Sequence, residues 1–346
     1  MDLNFTAGRT WKPPNPGITV IDAHTEGEPL RVIIAGYPSP EGKTILARRR
    51  NLQQHYDALR TSIMWEPRGH ADMYGCLITP PVTAKADFGV LFMHNEGYST
   101  MCGHGIIAVT KVVLETGMLP MRSPETPIAI DTPAGLITAF ARVSGDHVTS
   151  VRFQNVPSYA HALNQTAKVP GLGTVHYDIG FGGAYYAYVQ ATDFGLSCTS
   201  DNYTLLVQTG MAIKRAIMAN TTIVHPFEVD MGFLYGTIFV GPGQAATAHS
   251  RNVCVFAEGE VDRSPTGTGV SGRAALLYAR GEIGLNEPIT IESIIGSSFT
   301  VAIKETITFG PHKAIVPTVE GRAYITGQST FYFDPADPLK NGFVLR

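Results

Sequence analysis

Apolar and polar residues alternate in short runs along most of this chain, the period-two pattern of half-buried strands. In the first half such runs fall at 17–23, 30–35, 86–94, 128–131, 136–144 and 147–155. The second half continues at 176–179, 185–190, 236–240, 253–257, 289–294 and 298–303. Turn chemistry separates them, as in Asp131-Thr132-Pro133-Ala134-Gly135 and Gly145-Asp146. Helical periodicity is rarer and predicts four helices, at 51–65, 104–115, 203–219 and 269–280. Two of these, at 104–115 and 269–280, are apolar on most faces. Such a helix must be surrounded, here by a curved sheet.

Those two helices belong to an internal repeat. Cys102-Gly103-His104-Gly105, the helix and Gly117 align without gaps on Thr266-Gly267-Thr268-Gly269, the second helix and Gly281. Each helix ends at a glycine, as helix C-termini prefer. A strand-like segment follows each, at 127–131 and 288–292. The repeat predicts two domains of one design, and 346 residues suit two domains of about 150–200 residues each.

Composition then excludes several classes. Lys+Arg 26 against Asp+Glu 29 leaves no basic excess for nucleic acid or anionic lipid. No apolar run is long enough to span a bilayer, so no membrane partner is expected. Residues 1–16 are polar and Pro-rich, unlike a secretory leader, and a cytoplasmic location is expected. Cys76, Cys102, Cys198 and Cys254 lie far apart without a CxxC, which argues against a disulfide framework or a structural zinc site.

The chemistry concentrates at the two helix starts. Cys102 precedes unpaired N–H groups and the positive helix end, an environment that favours thiolate. Cys76, Cys198 and Cys254 lack such a setting and read as structural. The loop Asp262-Arg263-Ser264-Pro265-Thr266-Gly267-Thr268-Gly269 matches it. Facing each other, the two loops would hold a small carboxylate between helix ends, with the Cys102 sulfur on one side and the Thr266 hydroxyl on the other. The stretch 267–272 fits GxGxxG, and 103–108 its Ala variant, but polar segments separate both from their strands. A dinucleotide site is therefore not expected. His24, His70, His94 and His104 lack metal-ligand spacing.

Met101-Cys102-Gly103-His104 and the loop 262–269 resemble the two signature loops of the proline racemase family. The resemblance extends to Asp22-Ala23-His24-Thr25-Glu26-Gly27-Glu28-Pro29, to the block from Pro67 to Gly75, to Phe181-Gly182-Gly183 and to Ile325-Thr326-Gly327. It implies an α/β (α+β) fold like diaminopimelate epimerase, with two pseudo-symmetric domains, each a curved sheet around a central helix. The cleft between them carries the site. The first domain is expected to span 1–159 plus 328–346 and the second 160–327. Cys102 and Thr266 are then the catalytic pair, and Gly103, His104, Asp262, Gly267 and Thr268 bind substrate. The resemblance implies no metal or organic cofactor and a homodimer.

Racemases and 4-hydroxyproline epimerases of this family carry a cysteine in both loops. Here the second position is Thr266, and an alcohol is too weak an acid or base to replace a thiol. Within the family, a Cys/Thr pair is characteristic of hydro-lyases that dehydrate trans-3-hydroxy-L-proline to Δ1-pyrroline-2-carboxylate. An epimerase or racemase of the family, or a non-catalytic amino-acid binder, are the alternatives.

Overall fold

The computed structural model describes residues 16–345. Its first half holds β1 (Ile18–Thr25), β2 (Glu28–Ala35), α1 (Ile45–His55), α2 (Asp57–Met64), β3 (Tyr74–Thr79), β4 (Phe88–His94), β5 (Gly97–Tyr98), α3 (Gly103–Glu115), β6 (Glu125–Thr132), β7 (Gly135–Ser144) and β8 (His147–Gln154). The second holds β9 (Tyr159–Val169), β10 (Gly173–Phe181), β11 (Tyr185–Gln190), α4 (Tyr203–Asn220), β12 (Leu234–Gly241), β13 (Ser250–Phe256), β14 (Glu260–Val261), α5 (Gly267–Ala279), β15 (Ile289–Glu292), β16 (Ser298–Phe309), β17 (His312–Gly321) and β18 (Ala323–Phe331).

The sequence repeat reappears in the hydrogen bonding. β1 pairs antiparallel with β2, β2 parallel with β3, β3 antiparallel with β4, and β4 parallel with β6, before β7 and β8 follow antiparallel. The same alternation runs from β10 through β11, β12, β13, β15 and β16 to β17. An outer strand flanks each series: β18 on β1, and β9 on β10. Antiparallel pairing of β8 with β17 joins the halves into one mixed sheet.

Each sheet wraps its helix. In α3 every residue from Gly103 to Leu114 is buried. The helix packs on β1, β2, β7, β8 and β18, and α5 on β9, β10, β16 and β17. Their sheer apolarity is therefore explained by enclosure, as expected. Gly117 and Gly281, just past the two helices, adopt φ +73° and +72°, which only glycine takes without strain.

Local differences from the sequence reading have simple causes. The helix expected at 51–65 is two helices, because Tyr56 leaves helical geometry at φ −131°. α1 begins earlier, where the Thr44 hydroxyl accepts from the Ala47 N–H. Strand β3 went unread because it is buried nearly throughout and shows no alternation; it lies between β2 and β4. β18 went unread for the opposite reason: it is largely exposed and polar. Since β18 pairs with β1 along its whole length, we propose that the chain returns to the first domain at Arg322. Among the described residues, no helix is long and apolar enough to cross a membrane.

Candidate active site

The two enclosed helices meet tip to tip. A Cβ added at Gly103 would lie 2.5 Å from the Gly267 Cα, and one added at Gly267 would lie 2.6 Å from the Gly103 Cα. No side chain fits between these backbones, so both positions require glycine. Gly103→Ala is expected to wedge the helix ends apart. Turnover should fall by about 10²-fold, the usual cost of a displacement near 1 Å at a reacting centre. Steady-state kinetics at unchanged secondary structure would check this.

Beside this contact lies a pocket walled by Cys102, His104, Asp262, Thr266 and Thr268, together with the glycines. All seven residues expected at the site line it. The enclosed space is about 20 Å³, room for about one water molecule. Met101 lies in the wall next to Cys102, and Tyr74, Tyr186, Tyr235, Cys254 and Phe256 complete it. Sequence reasoning missed these five. Only Tyr74 stood in a segment singled out beforehand, and Cys254 had been read as structural. The other three lie in strands whose apolar character says nothing about which pocket they face.

Cys102 is the N-cap of α3, and its sulfur accepts from the Gly105 N–H at 3.2 Å. The first-turn amides of Gly103, His104, Gly267 and Thr268 have no intrahelical partners and are anion donors. The thiol differs from the expectation in one respect. Burial pushes its pKa well above the ordinary value, and the nearby Asp262 and Glu28 carboxylates add to this. The Gly105 N–H pulls the other way without prevailing. The helix-end effect is real, but desolvation in the closed pocket outweighs it.

His104 places Nδ1 3.2 Å from the Cys102 sulfur and sets its ring edge-on to Tyr74. Burial lowers its pKa to about 3, so the imidazole is neutral at pH 7. It therefore orients the thiol without contributing positive charge.

Asp262 is buried and accepts from the Ser264 N–H at 2.8 Å. Burial raises its carboxyl pKa to about 6, against hydrogen bonds from Ser264 that lower it. Two first-half carboxylates clamp the loop that carries it. Glu28, fully buried, accepts from the Arg263 N–H at 2.7 Å, and Asp72 pairs with the Arg263 guanidinium at 2.7 Å. The segments containing Glu28 and Asp72, two of those that carry the family resemblance, thus fasten one half to the other's site loop.

Thr266 has φ +68°, rare for any side-chain residue and unfavourable for a β-branched one. Its hydroxyl is buried without a well-formed hydrogen bond. A strained residue with an unsatisfied hydroxyl, held over a pocket, is arranged to meet something that enters.

Two like halves, with a thiol at one helix start and a hydroxyl at the other, place this molecule in the diaminopimelate epimerase-like class of mixed α/β folds. A phenazine biosynthesis PhzF-family protein from Bacillus anthracis shares that fold (TM-score 0.56, 11% identity, 92% of this chain and 100% of that one). More narrowly, the chain belongs to the proline racemase family, whose model matches residues 20–344. It is 48% identical to a trans-3-hydroxy-L-proline dehydratase from Colwellia psychrerythraea, covering 95% of this chain and 93% of the relative. It is 42% identical to a 3-hydroxyproline 2-epimerase from Burkholderia multivorans, over 95% and 98%. A solved hydroxyproline epimerase from Agrobacterium vitis, with bound trans-4-hydroxy-L-proline, superposes with a TM-score of 0.91 at 32% identity, covering 96% and 95%.

Proposed function

We propose that this protein is a hydro-lyase that dehydrates trans-3-hydroxy-L-proline to Δ1-pyrroline-2-carboxylate, using Cys102 as its base. The observation that carries this reading is the pairing of Cys102 with Thr266, not a second thiol, at the meeting helix starts. Relatives named for dehydration of this substrate support it.

The reaction follows from that asymmetry. The first-turn amides of both helices hold the substrate carboxylate, and Asp262 accepts from the ring ammonium. That ammonium is a cation placed near a buried thiol, so substrate binding itself favours the thiolate. Cys102 takes the Cα proton. The electron pair left on Cα forms the ring double bond as the C3–O bond breaks. In trans-3-hydroxy-L-proline the Cα hydrogen and the 3-hydroxyl lie on one ring face. The newly formed Cys102 S–H can therefore protonate the departing hydroxide, giving water and restoring the thiolate. The resulting enamine tautomerises to the imine. No proton returns to the opposite face of Cα, so no second thiol is needed there. Thr266 borders that face and positions the ring.

A proton NMR time course in D2O tests the reading. Conversion of trans-3-hydroxy-L-proline to Δ1-pyrroline-2-carboxylate is the expected result. Deuterium at Cα with an intact 3-hydroxyl and inverted configuration would overturn it in favour of epimerisation. Thr266→Val is expected to slow dehydration by about ten-fold, as a positioning group does, and full turnover would remove Thr266 from the mechanism.

Cys254 favours a direct check of the epimerase alternative, because it is a second thiol in the pocket wall. It lies in β13 and caps no helix, and burial beside Asp262 raises its pKa well above the ordinary value. Cys254→Val is expected to keep dehydration within about three-fold, since core swaps of similar size are well tolerated. Loss of turnover together with loss of Cα exchange would instead make it a second base.

A further inference from the structure

Arg273 lies two turns into α5, beyond the catalytic loop. It is the one residue between Gly267 and Leu277 that is not fully buried. The repeat aligns it with Val109 of α3, which is completely enclosed. One half thus keeps an apolar contact where the other places a guanidinium. Among the described residues, that guanidinium makes no hydrogen bond or ion pair, and its Nε is sealed from solvent without a partner. The Glu282 and Asp178 carboxylates act on it only through space, and a largely buried charge with no direct partner is costly, so its retention calls for a closer counter-charge.

The side chain opens into a cavity of about 370 Å³ between α5 and strands β10 and β11, away from the catalytic pocket. Small-molecule sites begin at about 300 Å³. Two guanidiniums and three carboxylates line it. Asp178 is committed to Arg280, with contacts of 2.5 and 3.0 Å. Among the described residues, Asp193 and Glu282, on the exposed rim, make no close ion pair. Arg273 therefore offers an open carboxylate site, and the two rim acids offer a place for a cation. A dianion such as phosphate would meet net negative charge, whereas a zwitterion matches both ends.

We propose that this cavity is a second amino-acid site, binding a small zwitterion through its carboxylate on Arg273 and its ammonium on Asp193 and Glu282. The occupant would sit against the catalytic helix, since Tyr188, in the cavity wall, donates to the Gly269 carbonyl in the first turn of α5 at 2.7 Å.

Equilibrium dialysis with radiolabelled L-proline tests this. The unaltered protein should bind one more L-proline per chain than Arg273→Val, which installs the residue the companion helix carries. The surface variant Asp193→Asn/Glu282→Gln, which spares the core, should weaken L-proline at this site by at least about ten-fold and should not weaken acetate. Turnover of trans-3-hydroxy-L-proline, followed on the same samples, reports the catalytic pocket separately. Equal affinity for L-proline at this site in the unaltered protein and the surface variant would overturn the proposal. Acetate binding as tightly as L-proline would overturn its zwitterion assignment.

Discussion

Cys102→Ser is expected to lose dehydration by at least about 10³-fold while leaving thermal stability nearly unchanged. General-base catalysis by a positioned side chain contributes about 10²–10⁴-fold, and in the proposed reaction one sulfur both removes the Cα proton and protonates the leaving hydroxide. Serine retains the N-cap, because its oxygen can accept from the Gly105 N–H as the sulfur does. Fold and α3 should therefore persist, and the deficit should fall on the chemical step. Single-turnover kinetics alongside a melting curve would check both halves. A serine variant with near-normal turnover would remove Cys102 from the reaction. A large fall in melting temperature would mean that the loss of activity reports on folding.

Asp262→Asn carries the second large effect, and it is expected to act in opposite directions on stability and activity. The Asp262 carboxyl rises from 3.8 to about 6 on folding, chiefly through burial. Keeping it charged at pH 7 therefore costs about 3 kcal/mol of stability. In sign, the folded state binds this proton more readily than the unfolded one, so the stability contribution falls as pH rises from about 4 through 6. The cost is fully present above the folded value and absent below the unfolded one. Asparagine removes it and also relieves Glu28, whose own pKa burial and Asp262 hold well above the usual carboxylate range. The variant should unfold at higher denaturant than the wild type at pH 7, and the difference should vanish near pH 4. Its kcat/KM should fall by about 10²- to 10³-fold, because the substrate ammonium loses a buried counter-charge. The wild-type acid limb near pH 6 should disappear with it. A variant less stable than the wild type at pH 7 would show that the carboxylate stabilises the loop more than its burial costs.

Much of this was legible in the chain. The two Gly-rich loops, their apolar helices and the closing glycines are local features. Their gap-free repeat was enough to predict two like halves with Cys102 and Thr266 at equivalent places. The same logic brought Gly103, His104, Gly267 and Thr268 to one pocket, because helix starts expose N–H groups wherever they occur, while Asp262 rested on the family resemblance. Helix and strand ends shifted by a few residues, since caps such as Thr44 depend on single side chains.

What lay beyond the sequence depends on distant contacts. β3 is buried between two strands and shows no alternation, and β18 is a polar strand defined only by its pairing with β1. The pocket walls Tyr74, Tyr186, Tyr235, Cys254 and Phe256 come from strands of both halves. Nothing in their spacing tells which face of a strand turns inward. The state of the thiol was also decided in three dimensions. A helix start predicts an acidic cysteine from local dipoles, but the loss of water around Cys102 and the carboxylates of Asp262 and Glu28 depend on how the halves close. Local chemistry thus picked out the candidate reacting atoms, and tertiary enclosure set their protonation and the walls around them.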